Sequence, residues 1–202
     1  MNHTGNYKSD REFTDIVHLK LACSIIYPLL NWDIQDMNLK MLNNIDTQNA
    51  VDYIAIDRNI LKTITIQERF REQKYSNYTD FTIRYKRDYS KHEERKLSEF
   101  FKLDADYFVY GIIDTDKYRV NEAKNFLKYC VKDVNKLKQL MDLELIVIDE
   151  KSGMKKCYVR DKVLMCPVIQ NHDFSSSFIP IDILLLSSLF EDDSVIVLQD
   201  GF

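Results

Sequence analysis

Glycine and proline are scarce in this chain, with 4 and 3 among 202 residues. An all-β sandwich needs both at its many tight turns, so long elements in an α/β or α+β domain fit better. The same shortage of glycine excludes nucleotide-driven motors and dinucleotide enzymes, whose phosphate-cradling loops require closely spaced glycines. No G-x-S-x-G is present, which removes the strand–turn–helix serine hydrolases. The four cysteines, Cys23, Cys130, Cys157 and Cys166, are widely spread and contain no C-x-x-C. They read as reduced, mostly buried thiols in a cytoplasmic protein without a zinc site. The histidines, His3, His18, His92 and His172, form neither H-x-x-x-H nor H-E-x-x-H, so zinc hydrolysis is unsupported. His18, one turn after Asp15, reads as half of a surface pair. The apolar run 181–190 is interrupted by Asp182, Ser187 and Ser188 and is too short to span a bilayer. The polar start, MNHTGNYKSDRE, has no signal-peptide character, and no membrane association is expected.

Core-forming material is ample. Hydrophobic residues make up 45% of the chain and aromatic residues 12%, enough for one domain. The net charge of -4 announces no global attraction to nucleic acid. Locally, however, Arg69, Arg71, Lys74, Arg84, Lys86, Arg87, Lys91, Arg95, Lys96 and Lys102 crowd the middle of the chain, whereas Glu191, Asp192 and Asp193 lie near its end. A basic middle is a local binding-surface signal. With Glu72, Asp88, Glu93 and Glu94 interleaved, it is equally a solvated charged face.

Along the chain, Ser9 and Glu12 have the spacing of a capping box, and apolar residues from Phe13 to Leu30 recur at helical period. Pro28 is expected to bend the last turn. Residues 34–43 read as a short helix or a packed loop. Residues 51–57, 61–71 and 80–86 read as three strands, the second with Ile64, Ile66, Glu68 and Phe70 on one face and Thr65, Gln67, Arg69 and Arg71 on the other. A helix capped at Ser90 and a continuously apolar central strand, 107–113, follow. Val120, Ala123, Leu127, Cys130, Val134, Leu137 and Met141 step by three and four, which predicts one long amphipathic helix packed on the sheet, with a homodimer seam as the alternative. The remainder reads as a strand at 143–148 with a hairpin partner at 156–159, a strand at 163–169, a strand–helix pair at 178–190 and a last strand at 194–198. The fold class expected is α/β, a mixed central sheet flanked by helices.

One constellation could carry chemistry. Some nucleases cut phosphodiesters with a carboxylate on one strand and a Glu/Asp-x-Lys pair on the next, because only alternate strand residues share a face. The acids hold Mg²⁺, which polarises the phosphate and activates water, and the cation stabilises developing charge. Here Asp52 stands on the first strand and Gln67-x-Arg69 on the second. Glu68 is the alternative register, but it shares its face with Ile66 and Phe70, so Gln67 is preferred.

Asp52…Gln67-x-Arg69, within a helix–three strands–helix–strand order, resembles the PD-(D/E)XK superfamily, which includes restriction enzymes and Holliday junction resolvases. The resemblance covers about 9–113, with 117–202 as an α/β extension of a single domain. It implies a restriction-endonuclease-like core and a metal-dependent endonuclease acting on DNA. Carried over by position, Asp52 and Gln67 would hold Mg²⁺ or Mn²⁺, Glu12 on the first helix would support the metal through water, and Arg69 would stand for the lysine. Arg71, Arg84, Lys86 and Lys102 are the candidate DNA phosphate contacts, although they are also ordinary solvated charges. Gln for Glu loses a charge, and Arg for Lys loses a group able to move a proton. These exchanges motivate a second reading, a catalytically inactive nuclease-fold module that binds nucleic acid or a protein. A wealth of Asn, Lys, Ile and Tyr suggests an AT-rich genome, that of a low-GC bacterium or its phage.

Overall fold

The computed structural model describes residues 4–35, 50–87, 90, 96–172, 174–191 and 195–202, with 4–8 described through their backbone. The reading of 34–43 and the capping pair Ser90–Glu93 lie largely outside these residues. The chain opens with helix α1 (Thr4–Val17), which continues without a break into a π-helical stretch, His18–Ile26, and a final α-turn, Tyr27–Leu30. Because the helix starts at Thr4, Ser9 lies inside it and does not cap it. Pro28 lies where the π-helical stretch passes into the closing α-segment, and Asn31 ends the helix in the left-handed conformation.

The central sheet has six strands in the order β1 (Trp32–Ile34), β2 (Tyr53–Asp57), β3 (Lys62–Arg71), β5 (Tyr107–Ile113), β6 (Phe126–Asp133) and β12 (Ile196–Asp200). Strands β1, β2 and β3 form an antiparallel meander, β5 runs parallel to β3, and β6 and β12 continue antiparallel. The sheet is therefore mixed and flanked by helices, and it runs without interruption past 113–117. Strand β4 (Asp80–Arg84) does not join it. It pairs instead with β11 (Ser177–Asp182), next to β10 (Ile169–Gln170), in a second sheet. The expected third strand thus exists in another layer, and β1 takes the outer place in the meander.

The long helix expected at 120–141 is corrected. Val120 belongs to a 3₁₀ turn, Lys117–Glu122, which is followed by β6, and only Val134–Asp142 is helical. Strand β6 is covered on both faces, so its apolar residues do not alternate, and their spacing mimics a helical stripe. The continuous seam for a coiled-coil homodimer does not form. The expected hairpin is also reassigned: β8 (Tyr158–Arg160) pairs with β9 (Val163–Pro167), and β7 (Ile146–Asp149) runs parallel to β9.

Apolar packing covers both faces of the central sheet. Phe13, Val17, Leu21, Ala22 and Ile26 lie on Ala55, Ile64, Ile66, Phe70 and Val109. On the other face, Phe81 and Ile83 of β4 pack with Phe108, Tyr110 and Ile112 of β5, together with Val134 and Leu137. Each such side chain contributes about 1.5–3 kcal/mol of burial. The segment Ser9–Leu30 is long and apolar enough to cross a membrane by length and composition alone. Its buried stripe against the sheet is the ordinary cause of such apolarity in a core helix.

Candidate functional site

Asp52, 6% exposed, stands just before β2. Its backbone N–H donates to Ile66 O at 2.8 Å, and its Oδ2 accepts the Glu68 N–H at 2.8 Å, so the carboxylate closes the β2 edge of β3 where the two strands part. The α1 side chain that reaches its Oδ1 is Arg11, at 3.4 Å, which also pairs with Asp15 at 3.0 Å. Glu12 lies exposed on the same helix. Gln67 is buried. Its Nε2 donates to Glu68 O at 3.2 Å, and its Oε1 has no hydrogen-bond partner among the described residues.

Arg69 crosses to the second sheet, where Nη1 donates to Thr82 O at 2.6 Å and Nη2 lies 3.4 Å from Glu99 Oε2. Burial pulls this guanidinium below its ordinary value, to about 10. Glu99 opposes that shift, while Arg84 and Arg71 add to it. Arg69 therefore stays cationic at neutral pH. Arg71 donates to Thr82 Oγ1 at 2.7 Å and lies 4.9 Å above the Tyr75 ring. The Arg84 guanidinium is lowered first by burial and then by Arg87, with Glu99 opposing, and the Arg84 backbone N–H donates to Glu99 Oε2 at 3.3 Å. Arg69, Arg71 and Arg84 are thus gathered around Thr82 and Glu99. Lys86 is engaged with Glu150 at 3.1 Å and with the Tyr85 ring, and Lys102 ends the single helical turn Glu99–Lys102.

These placements bear on the ion that the resemblance implies. Asp52 uses one oxygen on a backbone amide and the other on Arg11, and Glu12 faces solvent. Among the described residues, no three His, Cys, Asp or Glu side chains stand close enough together to hold a metal. Mg²⁺ takes about six oxygens in near-octahedral geometry, and these side chains as placed do not offer that set.

The densest polar constellation lies on the opposite face of β3. His18 is buried, 3% exposed, and is not a surface partner of Asp15. Its Nδ1 lies 2.8 Å from Glu68 Oε1, which also accepts the Tyr27 hydroxyl. Its Nε2 lies 3.4 Å from Cys23 Sγ, and its ring stacks on Tyr53 at 3.6 Å. The Tyr53 hydroxyl donates to Asp15 Oδ1 at 3.4 Å. Glu68 has a fully buried side chain, and its Oε2 has no hydrogen-bond partner among the described residues. Burial alone would lower the His18 pKa, but hydrogen bonding to Cys23 and Glu68 and the Glu68 charge outweigh it and raise it to about 10. His18 is an imidazolium at neutral pH.

Sequence reasoning passed over this cluster because Glu68 shares a face with Ile66 and Phe70. That placement was itself the signal: a carboxylate on an apolar strand face has to be met by a buried partner. Comparison of the chain with family models, with curated proteins and with solved structures returns no match.

Proposed function

We propose that the chain is a DNA-binding module on a restriction-endonuclease-like core, acting without the metal-dependent cleavage of that fold. The core assignment is supported by element order: α1, the antiparallel meander β1–β2–β3, then β5 parallel to β3. The observation that carries the function is the gathering of Arg69, Arg71 and Arg84 around Thr82 and Glu99, where burial first and neighbouring arginine charges after it lower the Arg69 and Arg84 guanidiniums. A phosphate placed among them would offset that crowded positive charge through charge-assisted and bidentate hydrogen bonds. Contacts of this kind position a nucleic-acid backbone without reading its bases.

One observation favours the active metal-dependent endonuclease as a second reading. Gln67 Oε1 is buried and unpartnered beside the Asp52 segment, an oxygen available to an incoming cation. A single experiment separates the two. Fluorescence anisotropy with labelled duplex and single-stranded DNA over a salt series should show binding that weakens with salt. Arg71→Ala and Arg84→Ala should each reduce the salt slope by about 1. The same protein, incubated with plasmid and Mn²⁺, should leave the DNA intact. Cutting that disappears in Asp52→Ala would replace the module with the nuclease, and absence of DNA affinity at low salt would remove both.

A further inference from the structure

The geometry points to a second, independent site: we propose that Cys23 is the nucleophile of an acyl-transfer centre that takes small esters, with His18 as its acid–base partner and Glu68 as the positioning residue. The inference does not rest on DNA binding. A cysteine nucleophile needs a base within hydrogen-bond reach, and the base needs a third group that fixes its ring. Cys23 Sγ, His18 Nε2, His18 Nδ1 and Glu68 Oε1 stand in that sequence at 3.4 Å and 2.8 Å. Tyr27 holds Glu68 from the helix side, and the Tyr53 ring stacked on His18 keeps the imidazole from turning.

Two further observations separate this from a purely structural ion pair. First, Cys23 is a half-buried residue that lines a cleft of about 420 Å³, within the size range of small-ligand sites. Besides Cys23, the cleft is lined by Tyr27, Pro28, Trp32 and Ile34 together with polar Asn31, Asp33 and Arg58. That mixed lining suits a small ester, with apolar groups for its hydrocarbon part and polar groups for its oxygens. Second, Glu68 Oε2 is buried with no described partner, so the carboxylate's charge is left to act mainly on His18 through the other oxygen. A structural pair has no need of a thiol on the remaining ring nitrogen.

The reaction follows from those positions. In the proposed step Sγ, its proton held on His18 Nε2, attacks the ester carbonyl carbon and a sulfur–carbon bond forms. As the carbon–oxygen bond breaks, the departing alkoxide takes the proton from His18 Nε2 and leaves as an alcohol. Neutral His18 then removes a proton from water attacking the thioester, the carboxylic acid departs, and the thiolate–imidazolium pair is restored. Ester and water become acid and alcohol, with no other reactant. Glu68 Oε1, 2.8 Å from Nδ1, keeps that nitrogen as the donor, so that Nε2 exchanges the proton.

The groups facing this pair are Glu68 from β3, Tyr53 just beyond it on β2, and Tyr27 from the same helix, with Asp15, Arg11 and Asp52 outside them. Both tyrosines are held well above their ordinary value, by burial first and by Glu68 second. Neither titrates in the acid range.

The test begins with the unmodified full chain. An ordinary thiol is under about 1% thiolate at pH 6. Iodoacetamide at pH 6, followed by peptide mass spectrometry, should alkylate Cys23 at least ~10-fold faster than free glutathione reacts. p-Nitrophenyl acetate should release a burst of one nitrophenolate per chain and leave an acetyl group on Cys23. Cys23→Ala should abolish the burst while circular dichroism stays unchanged. Glu68→Gln should move the alkylation profile toward that of glutathione, which loss of a structural contact far from the sulfur would not do. Cys23 reacting no faster than glutathione at pH 6, or acetylation falling on lysines and Cys157 instead of Cys23, overturns the proposal. The wild-type profile decides even if the buried variants fail to fold.

Discussion

His18 and Cys23 are five residues apart, yet the ring nitrogen of one stands 3.4 Å from the sulfur of the other. In a regular α-helix a five-residue step turns roughly 140° away from the starting residue, and the two would diverge. The π-helical stretch His18–Ile26 widens the turn, and its i→i+5 ladder brings position 23 back above position 18. The Tyr27 N–H bonding to Ala22 O marks the same register at its end. Pro28, which follows directly, has no N–H to offer an α-helical bond to Ser24 O. The meeting of thiol and imidazole is therefore a property of backbone winding.

Glu68 and His18 form a buried charge pair, and removal of one partner strands the other. Glu68→Ala is expected to destabilise the fold by about 3–5 kcal/mol in urea titration. Glu68→Gln, which retains an acceptor for Tyr27, should cost less. A loss below about 1 kcal/mol for the alanine variant would show that the pair does not hold the helix to β3.

The pH dependence has a definite sign. The folded pKa of His18, about 10, lies above its ordinary value of 6.5. Its contribution to stability is fully present below pH 6.5 and is lost as pH rises through about 10. Chemical denaturation between pH 6 and 10 should show stability falling, and His18→Gln should flatten that slope. An unchanged slope in the variant would assign the loss to other groups.

Asp80 and Asp182 are directly opposed across β4 and β11. Burial first, and the Asp182 charge second, raise Asp80 to about 6. Here the folded pKa lies above the ordinary value of 3.8, so ionisation of Asp80 erodes stability as pH rises from about 4 through 6. Asp80→Asn should stabilise the protein at pH 7 by about 1 kcal/mol and have no effect at pH 3. Thermal unfolding at the two pH values checks this.

Lys132 is wholly buried on β6, where the Cys130 thiol is the polar group that meets it. The ammonium lies 3.8 Å from the Phe81 ring centroid, with Phe108 and Tyr110 at 5.0 and 5.1 Å. Cation–π attraction offsets only part of the desolvation, which lowers its pKa. Lys132→Met keeps the volume and removes the charge, and should raise stability by about 1–3 kcal/mol in guanidinium titration. A net loss would show that the aromatic cage outweighs the desolvation.

Much of the central architecture was legible in order. The apolar period of 13–30, the hairpin of β2 and β3, and the unbroken apolar run of β5 each announced their element, because one dominant face or complete burial decides such segments locally. The failures share a cause. Strand β6 is buried on both faces, so residues from Val120 to Met141 could be counted as a helical stripe, although Leu127 and Cys130 lie in a strand. Strand β4 showed its alternation clearly but gave no indication that its partner would be β11, about a hundred residues downstream.

At the candidate sites the division is sharper. Asp52, Gln67 and Arg69 were readable as residue types at strand spacing, and the basic content of the middle of the chain was visible as composition. That Arg11, not Glu12, meets Asp52, and that Arg69 turns to Thr82 and Glu99, depended on how α1 and the second sheet dock against β3. The sequence by itself determined the elements, the mixed α/β class and the presence of a carboxylate on an apolar strand face. Only the tertiary structure decided which partners those side chains meet. Local propensity acts over a few residues, whereas Glu68, His18 and Cys23 are joined by the packing of a π-wound helix onto a strand some fifty residues away.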